Sequence, residues 1–477
     1  MNILFVASEL YPYVKTGGLG DVAQALPAAL SDSGLDISVL VPGYRPLLEA
    51  TSRETVARID CPFLGISATL SQVRNIRPRL LILEYAPYYD RPGGPYQNNG
   101  SDWPDNAERF ALLCHAAVNL CGSTSVLPWQ ADIVHCNDWQ TGLVPAYLHV
   151  RGDTRTRSVI TIHNLAFQGI FPATTLPRLG LPDAVFAMHG VEFHGSVSFL
   201  KAGLFYADRI TTVSPSYAAE IQQPELGFGL DGLLRTRAGD ITGIVNGIDT
   251  VQWDPANDPA LKSPYDADHL EAKRINKAAL QAEVGLPVAA EIPLLGMVSR
   301  IAEQKGSDLV IEILPRLMQL GAQLVVLGSG DHVLEQALLD AAQRAPQQIS
   351  LRIGYDEGLA HRIEAGSDMF LMPSRFEPCG LNQMYSMRYG TPPIVRATGG
   401  LKDTVSDPAA TSLAQATGFV FDKADAASLL EAIERALAAW RAPQIWRQLQ
   451  RNGMRRDFGW KRSARLYKTL YNSLVTD

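Results

Sequence analysis

The sequence predicts an α/β protein of two doubly wound domains, each built on a parallel sheet. Short apolar strands alternate with longer helical patterns along the chain, the rhythm of sheets covered by helices. At 477 residues the chain exceeds what one ordinary core accommodates. A strand followed by a glycine-rich turn and a helix also occurs in each half. Ile3–Ala7 leads to Lys15-Thr16-Gly17-Gly18-Leu19-Gly20-Asp21, and Pro393–Val395 leads to Gly399-Gly400-Leu401. Such turns present backbone N–H groups to a phosphate or sugar, so the repetition predicts two similar domains serving one anionic ligand.

In the first half the strands are expected at 3–7, 37–41, 80–84, 132–136, 158–162 and 209–213. In the second they are expected at 294–298, 323–327, 349–353, 368–372, 393–395 and 418–421. Several are unbroken apolar runs, as strands buried on both faces require. The stretch from Asn246 to Lys262, with Asp254-Pro255 and Asp258-Pro259, reads as a connector. The first domain is therefore placed at 1–245 and the second at 246–457, with a helix over 267–285 leading into the second sheet. Segments 85–106, rich in Pro, Gly, Tyr and Asn, and 163–200 break the rhythm. Insertions that a scaffold does not need are more often functional than decorative. The tail, 458–477, contains an amphipathic helix with Trp460, Leu466, Leu470 and Tyr471 on one stripe, expected to cross back over the first domain.

Composition excludes several classes. The net charge of -7 argues against a nucleic-acid-binding surface as the main business. The five cysteines (Cys61, Cys114, Cys121, Cys136 and Cys379) are scattered without a C-x-x-C pair, so neither zinc nor a disulfide framework is indicated. That usage fits a reducing cytosol, and Met1-Asn2-Ile3-Leu4 enters a strand directly, without the basic start of a signal peptide. No apolar run approaches the ~20 residues that span a bilayer. A cytoplasmic protein with no nucleic-acid or membrane partner is expected.

The candidate chemistry lies just after strands, where doubly wound sheets bind ligands. Gly18-Leu19-Gly20-Asp21-Val22-Ala23 matches G-x-G-x-x-A, but Tyr11-Pro12-Tyr13 separates it from its strand. The second strand also ends in Pro42-Gly43 where a ribose-binding acid belongs, so a dinucleotide site is set aside. His135-Cys136-Asn137-Asp138-Trp139 and Thr161-Ile162-His163-Asn164 both follow strands; Asp with Trp suits a sugar, the carboxylate for hydroxyls and the ring for an apolar face. In the second half, Arg300 closes a strand and Lys305 opens a helix, a planar fork and a point charge that suit one diphosphate. Leu327-Gly328-Ser329-Gly330-Asp331 reads as a turn that shapes the site. The densest cluster is Pro373-Ser374-Arg375-Phe376-Glu377-Pro378-Cys379-Gly380-Leu381-Asn382-Gln383, where backbone N–H groups from Gly380 onward can meet phosphate oxygens. Glu377 there needs a cationic partner, either Arg or Lys or a positive charge developing on a sugar ring.

Together, KTGGLGD at 15–21, HNLAFQG at 163–169, NGID at 246–249 and SRFEPCGLNQ at 374–383 resemble the bacterial glycogen synthases, the retaining glucosyltransferases related to plant starch synthases. The resemblance spans the chain from Ile3 to the terminal helix. It implies the GT-B fold, two Rossmann-like domains facing an interdomain cleft, with the first on the acceptor side and the second binding the nucleotide sugar. It further implies an ADP-glucose donor, a glycogen or maltooligosaccharide acceptor, retention of configuration, and neither metal nor cofactor. Carried over by motif, Lys15 and the Gly17-Gly18 backbone contact diphosphate and sugar, with Asp21 beside them. Arg300 and Lys305 hold the phosphates, Glu377 lies near the transferred glucose, and His163 bonds the sugar. Tyr355 stacks adenine, Asp138 and Asn246 are secondary contacts, and Cys379, Gly380 and Leu381 line the site. The wider retaining group often carries a second Glu eight positions after the first; here that position is Tyr385, so no two-glutamate scheme transfers. The D-x-D at Asp266-Ala267-Asp268 reads as a solvated helix face. Two other classes compete: a non-catalytic glucan-binding or regulatory protein on this fold, which has no use for phosphate cations, and a phosphorylase, whose pyridoxal-phosphate lysine motif is not found.

Overall fold

The computed structural model describes residues 1–475 and divides into two compact units, Met1–Gly247 with the segment from Trp460, and Ile248–Gly459. Positions 476 and 477 of the expected tail lie outside the described residues. Among the described residues no helix is long and apolar enough to cross a membrane.

The first unit begins with β1 (Asn2–Val6), β2 (Asp36–Pro42), β3 (Arg53–Cys61), β4 (Ile66–Val73) and β5 (Arg79–Glu84). A small hairpin, β6 (Gln97–Asn98) with β7 (Ser101–Asp102), precedes β8 (Ile133–Asn137) and β9 (Arg157–Ile162). A three-stranded antiparallel patch of β10 (Ile170–Pro172), β11 (Glu192–Phe193) and β12 (Ser196–Ser198) follows, then β13 (Arg209–Thr212) and β14 (Ile241–Gly243). The main sheet runs β14-β13-β9-β8-β1-β2-β5-β4-β3, parallel as far as β5 and antiparallel beyond it. The hairpin β3–β4 was not expected from the sequence. Its Arg53–Cys61 half exposes much of one face, so it lacks the unbroken apolar run that announces the central strands.

The second unit holds β15 (Leu294–Val298), β16 (Gln323–Gly328), β17 (Ile349–Ile353), β18 (Met369–Met372), β19 (Pro393–Arg396) and β20 (Phe419–Phe421). They form one all-parallel sheet, ordered β17-β16-β15-β18-β19-β20. Every strand expected in this half is present within a residue or so of its expected limits. Strand order reverses between β1 and β8 in the first unit and between β15 and β18 in the second, and such switch points open a crevice at the carboxyl ends.

The terminal helix Trp460–Val475 packs on the helix Gly18–Asp32 and joins the core of the first unit through Trp460, Ala464, Tyr467, Tyr471 and Leu474. The expected stripe is corrected at Leu466, which is 48% exposed; the buried face passes through Ala464 and Tyr467 instead. Beneath the helix, His135 Nδ1 shares a 2.6 Å hydrogen bond with Tyr471 OH and its Nε2 one of 2.6 Å with Thr161 Oγ1, which in turn meets Thr211 Oγ1. Burial pushes His135 down to about 3, so this ring is a neutral core group. Tyr471→Phe leaves a buried ring nitrogen unpaired and is expected to cost about 1–3 kcal/mol in chemical denaturation, with the secondary structure by circular dichroism unchanged.

Candidate active site

In the first unit, β1 ends at Val6 and the chain reaches Lys15 through Ser8, Glu9 and a short turn. The glycine-rich loop is closed by Glu9, which sequence reasoning missed. Its Oε2 accepts from Thr16 N (2.8 Å) and Gly17 N (3.4 Å), and its Oε1 from Thr16 Oγ1 (2.6 Å) and Tyr96 OH (2.8 Å). A lone carboxylate between an apolar strand and a glycine-rich turn was the available signal; Tyr96, inside the irregular 85–106 segment, had none. Lys15 Nζ lies 2.8 Å from Asp21 Oδ1 and 5.3 Å from the centre of the Tyr11 ring. Gly17 caps the helix Gly18–Asp32 in an extended conformation, and a Cβ added to it would meet nothing within 4 Å.

Asp138, at the end of β8, has φ 56° and ψ -172°, a region that essentially only glycine occupies freely. It is held there because its N–H donates to Thr161 O (2.9 Å) while its Oδ1 accepts from His163 N (2.7 Å) and Asn164 N (3.4 Å). Burial pushes the carboxyl up to about 7, against those backbone bonds, which lower it. Asn137 Nδ2 donates to Val6 O, so its Oδ1 faces His163 Nε2 at 2.9 Å. Nε2 therefore carries the proton and Nδ1 is left as an acceptor suited to a hydroxyl. Burial lowers His163 to about 3 and keeps the ring neutral. Trp139 corrects the expectation of an open sugar platform: its ring is packed among Phe110, Phe171 and Phe199, and a Cβ on Gly169 would fall 2.3 Å from it. Asn246 is buried, and its Oδ1 has no hydrogen-bond partner among the described residues.

In the second unit the loops after β15 and β18 are laced together. Arg375 N donates to Gln304 O (2.8 Å), and Asn382 Nδ2 donates to Val298 O (2.6 Å). The Arg375 guanidinium grips Asp308 at 2.7 and 2.6 Å, which assigns it to the scaffold. Lys305 Nζ donates to Glu377 Oε2 at 2.6 Å, and the Ser374 hydroxyl donates to the same oxygen at 2.9 Å. Both donors thus use one oxygen of a carboxylate that is 6% exposed, and Oε1 has no hydrogen bond among the described residues. Arg300 is exposed, its guanidinium 3.3 Å from Gln304 Oε1. Tyr355 follows β17 and is 71% exposed. Cys379 is buried, Gly380 has φ 71°, and Leu381 caps the helix Asn382–Arg388.

The expected second anion cradle at 399–401 is corrected. Gly400 N already donates to Glu377 O and Pro378 O at 3.1 Å each. A Cβ on Gly399 or Gly400 would lie 2.0 Å from the carbonyl oxygen of Glu377 or Cys379. These glycines let the Glu377 loop pack on the following helix. Tyr385 is stacked at 3.7 Å on Trp253, whose ring also stacks on His361 at 3.8 Å, so the position of the missing second Glu is part of the core. Asp266 and Asp268 are exposed, paired with His269 and Arg455. The Lys15 group and the Glu377 group belong to different units.

Two measurements follow from these contacts. Gly400→Ala is expected to lower the melting temperature, whereas Gly17→Ala leaves it unchanged because its added methyl meets open space. The raised Asp138 carboxyl makes the native state hold a proton that the unfolded chain has lost, so this group's contribution is full below its ordinary value of 3.8 and is lost as pH rises to about 7. The stability difference between Asp138→Asn and wild type, measured by denaturation across that range, is expected to shift in favour of the variant as pH rises.

Known proteins match this arrangement along the whole chain. The family profile described as "Starch synthase catalytic domain" covers residues 2–236, and that described as "Glycosyl transferases group 1" covers residues 285–453. The chain is 52% identical to the glycogen synthase of Nitrosomonas eutropha, covering 100% of this chain and 96% of the relative. It is 53% identical to that of Dechloromonas aromatica, covering 100% and 99%. Among solved structures, the catalytic domain of starch synthase IV from Arabidopsis thaliana, bound to ADP and acarbose, superposes with a TM-score of 0.89 at 32% identity, covering 100% of this chain and 99% of that one. Sucrose-phosphate synthase from Thermosynechococcus elongatus, at 19% identity and a TM-score of 0.62 with 100% and 99% covered, shares the fold. With two sheets whose parallel strands reverse order at a switch point, strand-end cations beside a carboxylate, and these relatives over its full length, the chain belongs to the glycogen and starch synthase family of GT-B glycosyltransferases.

Proposed function

We propose that the chain transfers glucose from ADP-glucose to the non-reducing 4-hydroxyl of an α-1,4-glucan, with retention, in glycogen biosynthesis. The observation that carries this reading is the Lys305–Glu377 pair at the β15/β18 switch point, with one carboxylate oxygen neutralised and the other available. A binding module has no need of a buried carboxylate held beside a phosphate-binding cation. A glucosyl transferase uses both: the cations meet the leaving diphosphate, and Glu377 faces the positive charge that develops on the sugar ring.

In this reading Lys15, Arg300 and Lys305 serve the donor diphosphate, Tyr355 covers the adenine, and His163 accepts a sugar hydroxyl at Nδ1. The bond from the anomeric carbon to the β-phosphate oxygen breaks, and that oxygen leaves with the electron pair. The acceptor 4-hydroxyl adds to the same face, its proton passing to the departing phosphate oxygen, so the products are ADP and a glucan one residue longer. Exclusion of water from the closed site prevents loss of the donor by hydrolysis. Domain roles follow: the acceptor side in the first unit and nucleotide-sugar binding in the second.

The test supplies ADP-glucose and glycogen and follows ADP release with chain elongation. Elongation is expected with ADP-glucose, and Glu377→Gln, which keeps the side-chain shape, is expected to lose at least about a hundredfold in kcat with melting temperature retained. Transfer from UDP-glucose alone would change the donor. Glucan binding without transfer from either donor would favour the regulatory reading.

A further inference from the structure

Glu9 enters no step of the proposed reaction, yet it is a 3% exposed carboxylate with no ion pair among the described residues. Its charge is balanced by dipoles alone: the N–H groups of Thr16 and Gly17 and the hydroxyls of Thr16 and Tyr96. Because a buried carboxylate without such partners is prohibitive, the chain at 16–17 has to turn its N–H groups inward. Tyr96 OH donates to Glu9, so the 2.7 Å bond it shares with Ser8 Oγ is one in which Ser8 donates. Tyr96 is itself anchored, its carbonyl accepting from Trp103 N (3.0 Å) and Asn106 Nδ2 (2.9 Å). One carboxylate thereby ties the end of β1, the 85–106 segment and the residue next to Lys15.

We propose that Glu9 is a positioning residue for Lys15: it holds Thr16 and Gly17 so that the Lys15 ammonium is presented at the β1 strand end in the orientation the donor requires. The proposal rests on the reading in which Lys15 serves the donor diphosphate. Its role is to accept hydrogen bonds, not to carry charge to the substrate or to take a proton. A carboxamide meets that requirement, its oxygen accepting from Thr16 N and its amide donating to hydroxyls that rotate, whereas backbone N–H groups cannot rotate.

The experiment compares Glu9→Ala, Glu9→Gln, Lys15→Ala and the Glu9→Ala/Lys15→Ala double variant, reading kcat/KM for ADP-glucose and the Kd of ADP by calorimetry. Glu9→Ala is expected to lose about tenfold or more in kcat/KM, Glu9→Gln to stay within about threefold of wild type, and the double variant to match Lys15→Ala. If Glu9→Ala does not fold, Thr16→Val and Tyr96→Phe each remove one donor and take its place in the cycle with smaller losses. Losses that multiply in the double variant, or a Glu9→Gln enzyme as impaired as Glu9→Ala, would overturn the proposal. A wild-type enzyme that neither binds ADP nor transfers glucose would instead remove the donor reading on which it rests.

Discussion

The second unit is organised around one short contact, the 2.6 Å bond between Lys305 Nζ and Glu377 Oε2. A carboxylate in so enclosed a place is costly to leave unpaired, and the ammonium together with the Ser374 hydroxyl offsets that cost at a single oxygen. Backbone geometry around the pair follows from it. Gly306, at φ 73°, lets the turn carrying Lys305 lie against Pro373, where a Cβ would be 2.2 Å from the carbonyl oxygen. Gly399 and Gly400 let the far side of the Glu377 loop settle on the next helix. Three positions without side chains thus allow two charged side chains to meet.

The first unit solves a related problem with the signs reversed. At its switch point two acidic side chains face backbone N–H groups: Glu9 folds the loop after β1, and Asp138, in a strained conformation, folds the loop after β9 through His163. Neither has a cation bonded to it among the described residues. The difference matches the division of labour proposed for the two units. In the second, opposite charges are paired in Lys305 and Glu377; in the first, carboxyl groups shape the loops by accepting from backbone N–H groups.

Much of this was legible in the sequence for physical reasons. Strands buried on both faces are unbroken apolar runs, so the second sheet could be placed almost residue by residue. Strand-end placement follows from parallel topology, which is why Lys15, Asp138, Arg300, Lys305 and Glu377 stood out. What escaped was whatever an apolar run does not announce, and whatever contacts between distant segments decide. The β3–β4 hairpin, half exposed, carries an alternating pattern that a run-based reading passes over. The repeated Gly-Gly-Leu looked like two copies of one device, but space decides the matter: Gly17 faces open space and Gly400 faces the Cys379 carbonyl. Trp139 next to Asp138 looked like an open sugar platform and is instead a half-buried ring, because Gly169 and three phenylalanines pack against it.

In the transfer proposed for this chain, Glu377 supports a developing positive charge without forming a bond to it, and the acceptor enters on the face the diphosphate leaves. The anomeric configuration of the newly formed linkage, read by proton NMR while ADP-glucose is consumed on a maltooligosaccharide, tests this most directly. An α-linkage is expected from the first turnover, with no glucosyl-enzyme detectable by intact-mass spectrometry. A β-linkage, or a stable adduct of one glucosyl unit on the protein, would contradict it.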